Sequence, residues 1–153
     1  MRTLDNVVAG AVGGLAAGLV MTAFMTAGKQ TGMIEEPLPL KYERKLEDLA
    51  GIEQRPGETQ AMVLSQGEHL LFSAALGAGC GALSAALDLP AIPAGPPYGL
   101  GVYALMLGAV GPAMDITAGP WNEEPLTAGR RVMMHLVYGT VTAVVAEQVR
   151  QER

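Results

Sequence analysis

Residues 7–27 read VVAGAVGGLAAGLVMTAFMTA, and the run free of Asp, Glu, Lys and Arg extends from 6 to 28. A hydrocarbon core of ~30 Å is crossed by about 20 apolar residues in a helix, so this stretch has the length and solvent preference of a membrane span. Further neutral stretches follow at 70–87 and 89–114, and 132–146 carries only His135. A water-soluble helix of such length shows a charged stripe every turn or two, and none does so here. The reading is an all-α integral membrane domain over 1–153, with spans at about 7–27, 69–87, 97–114 and 132–149. No stretch alternates with the period of two that a β-barrel needs. The first apolar run is too long for a cleavable leader and lacks a small-residue cleavage pattern, so it is expected to remain as an anchor.

Composition agrees. Of 153 residues, 50% are apolar and 16% charged, and Cys80 is the single cysteine, which excludes a disulfide scaffold and a disordered chain. A net charge of −5 argues against nucleic-acid binding. Positive charge sets orientation: Lys29, Lys41, Arg44, Lys45, Arg55, Arg130 and Arg131 fall in the 1–2 and 3–4 connections, against Arg2, Arg150 and Arg153 opposite. These two loops are therefore expected on the cytoplasmic side. Asp88–Pro96 is expected to be a short proline-rich turn that makes spans 2 and 3 neighbours. In the first loop Tyr42, Leu46, Leu49 and Ile52 recur at near-helical spacing opposite Glu43, Arg44, Glu47 and Asp48. A short amphipathic helix follows, lying either in the membrane interface or packed against the bundle.

The two halves resemble each other. Thr26-Ala27-Gly28 and Glu35-Glu36-Pro37-Leu38 follow span 1, while Thr117-Ala118-Gly119 and Glu123-Glu124-Pro125-Leu126 follow span 3. His69-Leu70-Leu71-Phe72-Ser73 likewise pairs with His135-Leu136-Val137-Tyr138-Gly139. The expectation is a four-helix transmembrane bundle of two duplicated hairpins, about 1–88 and 96–153, related by an axis along the membrane normal. In lipid, small residues let backbones approach, and the positions expected to do this are Gly10, Gly14, Gly18, Ser73, Gly77, Gly81, Gly108 and Gly139.

Ionisable side chains inside a span are costly and point to function. His69 shares a helical face with Ser73, Gly77, Cys80 and Ser84, and His135 with Gly139, Thr142 and Ala146, so both rings are expected to face other helices. Two such histidines can be axial ligands of a haem b. The ordinary explanation is that each ring hydrogen-bonds a neighbouring helix. Glu36 and Glu124, with the histidines, offer carboxylates and imidazoles suited to Zn, Mn or Fe; capping or solvation is the simpler account of these acids. Glu68 and Glu147 are the remaining ionisable candidates. No nucleophile–base pair, CxxC, HExxH or phosphate-cradling loop occurs, and an enzyme is not expected.

Taken together, Glu36-Pro37-Leu38-Pro39-Leu40, His69 with Gly77 and Gly79, Tyr98-Gly99-Leu100, Gly111-Pro112 and Arg131…His135-Leu136-Val137-Tyr138-Gly139 resemble the YagU-like family of uncharacterised bacterial inner-membrane proteins. This chain has Pro39-Leu40-Lys41 where that family often carries Pro-Pro-Arg. The resemblance implies a bacterial inner-membrane location and no particular reaction. Three function classes stand: an accessory or structural membrane subunit acting through a protein partner or homo-oligomer; a haem- or metal-binding module on His69 and His135; and a small transporter with a site between the repeats.

Overall fold

The structure is a computed structural model, and it describes residues 2–34, 37–52 and 56–152. Among these the chain is all-helical, with no strand: α1 (Arg2–Gln30), α2 (Leu38–Ala50), α3 (Glu58–Ala86), α4 (Ala91–Tyr103), a π-helical segment (Ala104–Val110), α5 (Gly111–Ala113), a 3₁₀ turn (Pro120–Asn122) and α6 (Pro125–Gln151). Three helices are long and apolar enough to cross a membrane: Leu4–Gln30, Glu58–Ala86 and Pro125–Gln151. Each runs past the apolar core read from sequence, because polar residues extend it at the ends.

The stretch expected as a single span at 97–114 differs. Helix begins earlier, at Ala91, so the turn shrinks to the residues just before it, with Pro90 as N-cap. Pro93 lies in the first turn, where no N–H is required. Pro96 and Pro97 lie inside the helix; within a membrane-type packing neighbouring helices tolerate such freed carbonyls. From Ala104 the helix widens to π register, and Gly111 N–H donates to the Met106 carbonyl five residues back. Pro112 follows at once. In an α register its ring would press on the Gly108 carbonyl, and the widened turn precedes that point.

Packing is inverted relative to a soluble protein. On α1, Gly10, Gly13, Gly14, Ala17 and Gly18 are buried, while Leu15, Leu19 and Phe24 are exposed. On α3, Ser65, Ser73, Gly77, Gly81 and Ser84 are buried and Leu71 is 74% exposed. Small and hydroxylated residues inside with large apolar ones outside is the arrangement expected where lipid is the solvent. Antiparallel α1 and α3 meet along a seam where a Cβ on Gly14 would lie 2.7 Å from Gly77 Cα and one on Gly10 2.9 Å from Gly81 N. A second seam joins α4 to α6, where a Cβ on Gly139 would lie 2.8 Å from Gly99 N. Gly13 of α1 abuts the Thr142 carbonyl of α6. Tyr98 and Tyr138 complete the centre: the Tyr98 hydroxyl donates to Leu76 O at 2.6 Å and that of Tyr138 to Ser73 O at 2.7 Å. At the far end Arg150 links Glu147 on its own helix to Asn6 of α1.

One sequence expectation needs correction here. Gly108 lies in no close helix contact, since a Cβ there would meet only Trp121, at 4.0 Å; nine residues beyond Gly99, it falls on the helix face opposite the α6 seam. On α2 the apolar stripe stays uncovered, as a helix lying in the membrane interface would leave it. Leu40 is buried, whereas Leu46, Leu49 and Ile52 are exposed.

These contacts give opposite signs to two Gly→Ala changes on α3. Gly77→Ala places a methyl against the backbone of α1, so it destabilises. A Cβ at Gly67 would meet nothing within 4 Å; Gly67→Ala gains up to about 1 kcal/mol of helix propensity. Unfolding of both variants in detergent checks the contrast.

Candidate functional site

The ionisable and polar side chains gather where α2, the N-terminal turns of α3, the π segment, residues 115–124 and the start of α6 meet. α2 starts at Leu38 behind the buried N-cap Pro37 and stops at Gly51, whose φ of 68° only glycine adopts easily. Its Tyr42 reaches across the chain to donate to Met106 O at 2.9 Å. That carbonyl therefore accepts from both Gly111 N–H and the Tyr42 hydroxyl. A Cβ on Gly111 would lie 3.2 Å from Tyr42 Oη and 2.6 Å from Thr117 Oγ1, so a side chain here would crowd both hydroxyls. Burial raises the Tyr42 phenol above its ordinary pKa, against the pull of the Arg131 guanidinium.

The two histidines occupy the same end. His135 Nδ1 is 2.7 Å from Arg131 O. A carbonyl only accepts, so Nδ1 carries a proton, and in the neutral ring Nε2 is then the acceptor. The Tyr103 ring stands edge-on to the imidazole, with centroids 5.4 Å apart at 65°. His69, on α3, is half-buried; its Nε2 is sealed from solvent and has no hydrogen-bond partner. Each imidazole lies within electrostatic reach of the other. Neither is fully exposed, in keeping with the helix-facing stripe read from the sequence.

Arg131 is the organising cation. It forms an ion pair with Glu123, whose side chain is 11% exposed, and whose second oxygen is buried without a partner. Glu68 is exposed, and Glu147 belongs to the opposite end with Arg150. Of the two carboxylates considered for a metal, Glu36 lies outside the described residues. Glu124 is exposed at the N-cap of α6, with no side-chain capping bond. Among the described residues no group of three or more His, Cys, Asp or Glu side chains is gathered to hold a metal ion.

Two participants were not visible in sequence. Glu43 was assigned to the water-facing side of α2 but is 5% exposed, with Oε2 lacking a partner. The available signal was its i+3 spacing from Leu40, the residue that docks α2. Tyr42 was read as part of an apolar stripe, yet its hydroxyl makes the tether; nothing local foretells a partner 64 residues away. No family model, curated protein sequence or solved structure matches the chain.

Removing one partner of a largely buried ion pair strands the other charge. Arg131→Ala should therefore lower stability by about 3 kcal/mol. The double variant Arg131→Met with Glu123→Leu should recover most of that loss, measured by unfolding in detergent.

Proposed function

We propose that the chain is a non-enzymatic, polytopic subunit of the bacterial inner membrane that works through helix packing and partner contact. In this reading α1, α3, the Ala91–Ala113 stretch and α6 form a four-helix transmembrane bundle of two duplicated hairpins. The 1–2 and 3–4 loops, which hold seven of the ten Lys and Arg residues, face the cytoplasm. The observation that carries it is the pair of glycine seams, Gly10/Gly14 with Gly77/Gly81 and Gly95/Gly99 with Gly139. Each joins the first helix of a hairpin to its second in the same antiparallel sense, as duplication requires. Trp121 in the 3–4 connection, with Leu46, Leu49 and Ile52 on α2, supplies exposed apolar groups for an interface.

A particle extracted from native membrane in mild detergent should be larger than one chain and its detergent belt, on native electrophoresis. A lone chain in every mild detergent overturns the partner reading. A thiol placed at Gly129 should react with an impermeant maleimide from the cytoplasmic side only; labelling from outside reverses the orientation.

A second reading has its own observation. His135 donates through Nδ1 to a backbone carbonyl and His69 Nε2 lacks a partner, the state in which imidazoles serve as axial ligands. Protein made in haem-supplied cells should then show a low-spin haem b spectrum that disappears in both His69→Ala and His135→Ala. A colourless preparation removes this reading.

A further inference from the structure

Glu43 is a carboxyl buried on a helix whose apolar stripe faces outward. On α2, Leu40 and Glu43 are buried, and Tyr42 tethers the helix to the π segment. Glu43 Oε2 is sealed from solvent and without a partner. The charged neighbours do not favour an anion there. Glu47 on α2 and Glu68 on α3 repel it, while Arg44 on α2 attracts it. From α6, Arg131 faces Tyr42 and is paired with Glu123, and His69 of α3 interacts with His135. A cleft of about 230 Å³ opens beside the seam, lined by Arg44, Glu47, Pro56, Glu58 and Ala61. Water therefore reaches the edge of the α2–α3 contact.

We propose that Glu43 is a proton-binding site at the α2–α3 seam, and that its occupancy decides whether α2 stays docked. A neutral carboxyl leaves only a hydroxyl and a carbonyl to accommodate in the contact. An ionised one leaves a bare charge facing two acids, a cost relieved when α2 lifts and water enters through the cleft. Burial, then Glu68 and Glu47, raise the Glu43 pKa above its ordinary value, against Arg44. The sign follows: a raised pKa in the docked state means docking is fully favoured below the ordinary carboxylate range. It weakens as pH rises from there through the raised value. The inference is independent of the partner and haem readings, since it concerns α2 alone.

Hydrogen exchange of the Lys41–Ala50 amides in the intact, detergent-solubilised protein tests this, after correction for the intrinsic pH dependence of exchange. Protection should be high in acid and fall with rising pH, by about tenfold for each unit by which docking raises the Glu43 pKa. Glu43→Gln should hold protection high and flat. Glu68→Gln, which removes one repelling neighbour, should move the step to lower pH. Tyr42→Phe should lower protection at every pH while keeping the step. A flat wild-type profile overturns the proposal, as does a step that survives in Glu43→Gln. Should Glu43→Gln fail to fold, an unmoved step in Glu68→Gln overturns it equally.

Discussion

Backbone-to-backbone contact between helices is the constraint on which the rest depends. Inside a bilayer a leucine gains little by leaving lipid for a protein interior, so helices are held by dispersion and polar contact at short range. That range is reached only where no side chain intervenes. At Gly14 and Gly77 the backbones stand so close that even a methyl group has no room. The larger apolar residues are then displaced outward, which is why Leu15, Leu19 and Leu71 are exposed while alanine, glycine and serine form the interior. Larger residues do enter the centre, Met21, Val102 and Tyr138 among them, and Tyr138 has its hydroxyl bound to Ser73 O.

The same constraint sorts polarity along the helices. A core of small residues has little room for charge, so charged groups collect at the two ends. One end is a simple clamp of Glu147, Arg150 and Asn6. The other is more elaborate, because a loop helix closes over it and the helix from Ala91 changes register beneath it. The π turn leaves Met106 O where Tyr42 can reach it. One backbone irregularity thus positions α2, and α2 in turn buries Glu43.

How far this was legible follows from the range of the interactions involved. Residues 7–27 carry their own solvent preference, and so do the extended helices around His69 and His135. The alternation of small residues along α1 and α3 announced their contact face, since a helical wheel is a local property. Tyr42, Glu43 and the Arg131–Glu123 pair were a different matter. Their places depend on how α2 is rotated about its axis, which its amphipathic pattern left open between an interfacial and a bundle-packed helix: Leu46, Leu49 and Ile52 turn outward, and the acid on the opposite side turns in.

Taken alone, the amino-acid order determined that the chain is helical, that its long neutral segments suit lipid, and which faces of α1, α3 and α6 present small residues. Each of these rests on periodicity and transfer preference within a single segment. That three helices, and not four, have the length of a span among the described residues came from the structure. Tertiary structure decided the π turn, the outward stripe of α2, the buried carboxyl of Glu43 and the tether from Tyr42 to Met106. Those depend on contacts between residues far apart in the chain, where packing space rather than local preference selects the arrangement.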